Sequence, residues 1–318
     1  MTPQYGPDND LVDYILGITY EIWEQGQIAF IDRYYSENCL IHALDSTTRG
    51  AAAVIEGTRA TLQSFSDRLL LAENVVWSGN RAAGFYSSHR LTSPMTNTGD
   101  TLFGSATGKV VRIMNIADCV VEDGVITGEW LVRDNLALVQ QLGFDPKQAA
   151  ETLAAAMTPE HAAWLRSEAG AMLNDAQGLA AADASGGSGS LDFAKSWLET
   201  LWTGSATSGL SFYAPYATLY RAPNRYMAGR EAILAHYAGW QQRATNARAV
   251  VDHVITQPMG HDGTDIAIRW RVGLERADSS RPVFILGVSH LRCASGKITA
   301  EWTVFDELAV EAQHHLAS

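Results

Sequence analysis

The sequence predicts an α+β fold built twice: two tandem cone-shaped domains, each with N-terminal helices packed in a curved antiparallel sheet, joined by a helical segment. Three observations predict it. The chain has 318 residues, about twice the common size of a domain, so two cores are expected. The segment from Asp123 to Asp134, DGVITGEWLVRD, matches Ser295 to Asp306, SGKITAEWTVFD, at a constant offset of 172. In each half, helix-period segments come first and strand-period segments follow.

Residues 10–24 carry Leu11, Ile15, Ile18 and Ile22 at helical spacing, and 27–36 and 50–65 continue in that style. Residues 69–77, 81–92, 109–121 and 125–133 are rich in Val, Ile and aromatics. Turn signals such as Ser78-Gly79-Asn80 and Glu122-Asp123-Gly124 separate them, as in a meander. A curved sheet wrapped around the helices buries both layers most simply. Upstream landmarks repeat as well. Ile22-Trp23 resembles Leu201-Trp202, Tyr34-Tyr35 resembles Phe212-Tyr213, and Gly50 resembles Gly229, now at an offset of 178 or 179. Two copies of one fold with different loop lengths produce such a shift.

Between the copies, 146–178 reads as helical, with Thr158 a candidate N-cap and Pro159 at the first helical position. Ala184-Ser185-Gly186-Gly187-Ser188-Gly189-Ser190 has the composition of a flexible linker. The expected organisation is therefore a first domain over 1–145, a helical connector and Gly/Ser linker over 146–190, and a second domain over 191–318.

Composition narrows the function. A formal net charge of −12 opposes binding to nucleic acid or to an anionic membrane, both of which need a basic face. Cys39, Cys119 and Cys293 offer neither a disulfide framework nor a Cys-x-x-Cys metal pair, which fits a reducing, cytoplasmic setting. The N-terminus lacks a signal-peptide pattern, and no apolar run reaches the roughly 20 residues of a membrane span. There is no phosphate-binding glycine loop, dinucleotide fingerprint, Gly-x-Ser-x-Gly elbow or His-Glu-x-x-His. No metal and no cofactor is expected.

Side chains of a strand alternate between faces. Strict alternation puts Ile126, Gly128, Trp130, Val132 and Asp134 on one face, and Ile298, Ala300, Trp302, Val304 and Asp306 on its counterpart. A carboxylate ending an apolar face loses hydration, which raises its pKa toward the range of a useful proton carrier. The same Asp before a helical segment is equally an N-cap, so both roles stand open for Asp134 and Asp306. His89 lies in a predicted strand and is a second candidate proton carrier. His290 is its nearest candidate in the second copy. Asp67 follows the third helix, where it either ends that helix or points into the mouth of the cone. Trp23, Tyr34, Tyr35, Trp130, Trp202, Tyr213, Tyr220 and Trp302 are candidate walls of a pocket for a flat apolar or aromatic ligand.

The order of three helices and a curved sheet, with Trp-x-x-Gly near the start and Asp-Gly-x-Ile-x-x-Glu-Trp-x-x-x-Asp at the end, resembles the nuclear transport factor 2-like superfamily. Within it, residues 8–145 look like the SnoaL-like polyketide cyclases. Phe65-Ser66-Asp67, Ser88-His89, Glu129-Trp130-Leu131-Val132-Arg133-Asp134 and Gln140-Gln141-Leu142-Gly143 carry that resemblance. Over 191–310 it rests on Gly296-Lys297-Ile298, Glu301-Trp302 and Asp306. The resemblance implies a cone with a deep apolar pocket and an intramolecular aldol ring closure. It implies an acid/base role for Asp134, extended to Asp306, with His89 as partner, and pairing of domains through the sheet, as an intrachain pseudo-dimer or a homodimer.

Two functions follow. One is a cofactor-independent acid/base enzyme acting on a small apolar carbonyl compound by ring closure, isomerisation or related lyase chemistry. The other is a non-catalytic small-molecule-binding protein. Because His89 and Asp67 lack equivalents in the second copy, activity confined to the N-terminal domain is a variant of the first.

Overall fold

In the computed structural model, residues 10–174, 183–184, 188–222, 225–260, 262–279 and 281–316 are described. The chain divides into two compact units, 1–149 and 150–318.

The first unit opens with α1 (Asp10–Thr19), a π-helical turn at Tyr20–Glu24, a 3-10 turn at Ile28–Phe30 and α2 (Ile31–Tyr34). A hairpin of β1 (Tyr35–His42) and β2 (Thr47–Arg49) leads into α3 (Gly50–Ser64). Then come β3 (Leu71–Asn80), β4 (Gly84–Thr96), β5 (Val110–Glu122) and β6 (Val125–Arg133), followed by α4 (Asn135–Leu142). The β1–β2 hairpin is not foreseen by the sequence pattern, which reads 27–36 as helical. Ser36, Glu37 and Asn38 interrupt any alternation, and tertiary pairing decides the strand instead. The sheet order is β2-β1-β6-β5-β4-β3. Its β1–β6 pair is parallel, so the sheet is mixed where an antiparallel one is expected. Leu11 and Ile15 of α1 pack with Cys39, Phe85, Val121 and Ile126 on the concave side of the sheet.

After α5 (Pro146–Ala156) and α6 (Pro159–Asn174), the second unit contains β7 (Asp183–Ala184), α7 (Ser188–Trp202), β8 (Tyr213–Ala222), β9 (Arg225–Ala228) and α8 (Arg230–Gln241). It continues with β10 (Ala244–Met259), β11 (Gly263–Arg276), β12 (Pro282–Ala294), β13 (Lys297–Phe305) and α9 (Glu307–Ala312). Its sheet order is β7-β10-β11-β12-β13-β8-β9. Read in reverse, the six strands after β7 repeat the first sheet strand for strand, including the parallel pair β8–β13.

Over 146–190, where a helical connector and linker are expected, α5 and α6 are helical, and residues from 150 onward belong to the second compact unit. Helix α6 packs against β10, β11 and β12, with Trp164 edge-on to Phe284 at 5.4 Å between centroids and Arg271 donating to Glu168 Oε2 at 2.8 Å. Gly273 has no side chain because one would meet Met172 of α6 within 2.5 Å. Of the expected Gly/Ser linker, Ala184 pairs with β10 and Ser188–Ser190 begin α7. Residues 185–187 lie outside the described residues.

One local feature, present in both sheets, positions the site. The β5–β6 hairpin turns on Asp123 and Gly124, at φ 49° and 78°, and the β12–β13 hairpin turns on Ser295 and Gly296, at φ 49° and 72°. These are the left-handed pairs that a tight two-residue hairpin needs. Just beyond each turn the ladder slips by one residue. Val121 faces Ile126 while Val120 faces Gly128, and Cys293 faces Ile298 while Arg292 faces Ala300. Thr127 and Thr299 are the extra residues of two β-bulges.

Candidate functional site in the N-terminal domain

The bulge reverses the parity that strict alternation assigns to β6. Beyond Thr127, Glu129, Leu131 and Arg133 stand opposite Cys119, Ala117 and Asn115 of β5. These six side chains line a cavity of about 540 Å³ enclosed by the sheet and helices of the first unit. That volume lies in the range of small-molecule sites.

Expected site residues divide accordingly. Trp23, Tyr35 and His89 line the cavity. Trp130 lies on the other face, stacked on His42 and on Tyr86 at 6.0 and 6.3 Å between ring centroids. Asp134 shares Trp130's parity and does not line the cavity. Its Oδ1 accepts from the N–H of Ala137 at 2.9 Å, which makes it the N-cap of α4. The same arrangement recurs at Asp306, whose Oδ1 accepts from Leu308 and Ala309 at the start of α9. Of the two roles open to these carboxylates, the geometry contains the cap.

Asp67 is exposed and accepts from the N–H and hydroxyl of Thr96 at 2.7 and 2.6 Å. Those bonds hold its carboxyl below the usual range and tie the loop after α3 to the end of β4. Tyr34 donates to Glu21 Oε2 at 2.9 Å and stays outside the cavity.

Several cavity groups escape the sequence pattern. Glu129 is buried and receives the Tyr35 hydroxyl at 2.9 Å. Burial raises its pKa, with Tyr35 and Arg133 opposing. Asn115 donates to Ser93 Oγ at 2.7 Å, leaving its Oδ1 buried without a partner. Arg68 lies over the Trp23 ring at 5.8 Å, and Arg133 approaches Asp45 at 3.7 Å. Burial, with Arg133 adding repulsion, lowers the Arg68 guanidinium to about 10. The Cys119 thiol is pushed well up by burial, which removes it as a nucleophile. His89 is 4% exposed, its Nε2 has no hydrogen-bond partner, and burial together with Arg90 lowers its pKa to about 4. The imidazole is therefore neutral at pH 7 with one ring nitrogen uncommitted.

Among the described residues no group of His, Cys, Asp and Glu has metal-binding geometry, and no helix is long and apolar enough to cross a membrane.

Comparison with known families decides what this architecture is. The SnoaL-like polyketide cyclase model matches residues 14–142, and a SnoaL-like domain model matches residues 194–301. The chain is a tandem of two SnoaL-like domains. No curated protein matches it. Among solved structures, a candidate polyketide cyclase from Acidithiobacillus ferrooxidans is 19% identical, covering 41% of this chain and 92% of that one at a TM-score of 0.37. IdmH, a candidate polyketide cyclase from Streptomyces antibioticus, is 20% identical over 42% of this chain and 99% of its own, with TM-score 0.37. A Catenulispora acidiphila protein with a ketosteroid isomerase-like fold, in complex with trimethylamine, is 18% identical over 39% and 92%, with TM-score 0.33.

The C-terminal SnoaL-like domain has an aromatic interior. Trp202 packs on Tyr237, Trp240, Trp270 and Phe305 with centroids 5.4 to 6.2 Å apart. Tyr213 donates to Glu301 Oε2 at 2.6 Å and receives Trp197 Nε1 at 2.9 Å. Tyr237 and Thr303 donate to Glu301 Oε1. Trp202 and Tyr213 are thus core, while Tyr220 and Trp302 stack on each other at 5.3 Å on the opposite face. His290 stands beside Trp302 in the ladder. Ser289, its neighbour, is the residue that faces inward and meets Trp270 Nε1 at 2.9 Å.

Proposed function

We propose that the N-terminal domain performs cofactor-independent acid/base chemistry on a small, mostly apolar carbonyl compound held in its cavity, with His89 as the proton carrier. The observation that carries this reading is the buried, uncommitted Nε2 of His89 in the wall of an otherwise largely apolar cavity. A neutral imidazole accepts an α-proton, and the enolate so formed is a counter-charge for the imidazolium. Return of the proton from the imidazolium to another carbon completes an isomerisation, and ring closure onto a second carbonyl, with the imidazolium protonating the resulting alkoxide, completes an aldol reaction. His89 takes the part that strict strand parity reserved for Asp134.

The test is hydrogen exchange in deuterated water. The full chain is expected to accelerate deuterium uptake α to the carbonyl of 2-tetralone, read by NMR. His89→Gln is expected to reduce that acceleration about 100-fold, the lower end of a positioned acid/base contribution. Wild-type acceleration that survives His89→Gln removes His89 from the reaction, and no acceleration by the wild type favours the binding-protein reading.

A further inference from the structure

The cavity wall holds two guanidinium groups and one carboxyl, Glu129, whose pKa burial raises and whose Oε2 accepts the Tyr35 hydroxyl. Arg68 and Arg133 both line it. Arg133 has Asp45 Oδ2 at 3.7 Å, too long for a hydrogen bond, and that same oxygen already accepts from Asn135 Nδ2 at 3.1 Å. Arg68 has no carboxylate partner among the described residues. It lies over the face of Trp23, a contact that fixes the plane of its donors. The trio Arg68, Arg133 and Asp45 carries a formal charge of one positive unit, while burial pushes the remaining wall carboxyl, Glu129, toward its neutral form; the other walls include Ile15, Phe85, Leu91 and Val121.

The C-terminal domain provides an internal reference. Asn115 of β5 pairs with Arg133, and its counterpart Gly287 pairs with Phe305. The position of Arg133 is apolar where the interior is filled, so the fold itself does not need a guanidinium there. Like-charged groups brought together in a partly desolvated site cost stability unless an anion joins them. A single positive unit suits a monoanion better than a phosphate dianion. The planar forks of two arginines match the two oxygens of a carboxylate.

We propose that Arg68 and Arg133 form a carboxylate subsite, so that the ligand of this cavity is an apolar carboxylic acid bound with its acid group between the two guanidinium groups and its ring or chain against the apolar walls. This deepens the proposed function, because it names the class of compound that the His89 cavity takes. It rests on the cavity being a small-molecule site and not on His89 being a proton carrier.

The experiment is calorimetric titration of the full chain at pH 7.5 with 2-naphthoate and with its neutral isostere 2-naphthamide. The acid is expected to bind at least tenfold more tightly than the amide, as charge-assisted hydrogen bonds warrant. Arg68→Gln is expected to abolish that preference. Arg133→Gln serves the same purpose if Arg68→Gln does not fold, and His89→Gln is expected to keep the preference. Equal affinity for acid and amide in the wild type, or a preference that survives in both arginine variants, overturns the subsite while leaving the pocket in place. Failure of both compounds to bind overturns the subsite and the small-molecule reading together. Loss of deuterium exchange in His89→Gln with an intact acid preference separates the two proposals from the other side.

Discussion

The two domains share strand order, hairpin turns, bulges and a buried Glu–Tyr pair, yet the first holds a cavity where the second packs a cluster of aromatic rings. Matched positions show how. On the helix that crosses the sheet, Thr58 and Thr61 of the N-terminal domain correspond to Tyr237 and Trp240 at the offset that aligns Gly50 with Gly229. On the sheet, Leu91 pairs with Asn115 where Trp270 pairs with Gly287. A side chain at Gly287 would meet the Trp270 ring within 2.2 Å, so the glycine is what admits the tryptophan. Small or polar residues on one side and rings on the other, at the same places in one scaffold, separate a cavity from an aromatic cluster.

The comparison also grades the buried carboxylates. Glu301, with three hydroxyl donors in a filled interior, shows that the Glu–Tyr pair is a device of the fold. Glu129 inherits it. His89 has Ile268 as its counterpart, since His89 pairs with Ala117 and Ile268 with Ser289. What the cavity adds to the scaffold is His89, Asn115, Arg68 and Arg133.

The largest test of this contrast is truncation of the two matched wall residues. Trp270→Ala is expected to cost the C-terminal domain about 3–5 kcal/mol, whereas Leu91→Ala, whose side chain already borders open space, is expected to cost about 2 kcal/mol. Urea denaturation, with amide exchange to assign the domain, measures both. Equal losses would mean that the N-terminal interior is as closely packed as its partner.

Next in size is the response to acid. The pKa of His89 is depressed to about 4 from its ordinary 6.5, so between these values the unfolded chain binds a proton that the folded domain refuses. Stability at His89 is therefore full above about pH 6.5 and is lost as pH falls toward 4, by about 3 kcal/mol in total. Glu129, raised by burial, works in the opposite sense, so the informative quantity is the difference between wild type and His89→Gln. That difference is expected to shrink as the wild type acidifies. A constant difference from pH 7 to pH 4.5 would contradict a buried neutral imidazole.

Smallest are the caps. Asp134→Ala and Asp306→Ala are each expected to cost about 1 kcal/mol, with Asp134→Ser recovering most of the loss. Asp134→Ser is further expected to leave naphthoate binding unchanged. Stability retained with binding lost would show that Asp134 reaches the ligand after all.

Much of this was legible in the sequence. The duplication, the four long strands of the first domain and their hairpin turn follow from an offset motif and from Asp123-Gly124. His89, Trp23 and Tyr35 could be singled out because an aromatic or imidazole side chain in an apolar strand or helix is visible without a fold. The hairpin at β1–β2 was not legible, because its polar residues obey pairing partners that lie far along the chain. Arg68 and Arg133 were hidden for different reasons. Arg68 sits in a loop with no period, beside an Asp67 that looked more informative. Arg133 and Glu129 share a face with the cavity only because the bulge at Thr127 shifts the alternation, which the sequence pattern does not show.

That bulge has a wider consequence. The strand motif from Glu129 to Asp134 carries two alternative inventories, one of Glu, Leu and Arg, the other of Trp, Val and Asp. Thr127 and Thr299 set the phase in which each inventory is read. A chain lacking Thr127 would turn its wall inside out, presenting tryptophan and aspartate to the ligand from an otherwise unchanged sequence. The identity of this chamber thus depends as much on a residue that pairs with nothing as on the side chains that touch its contents.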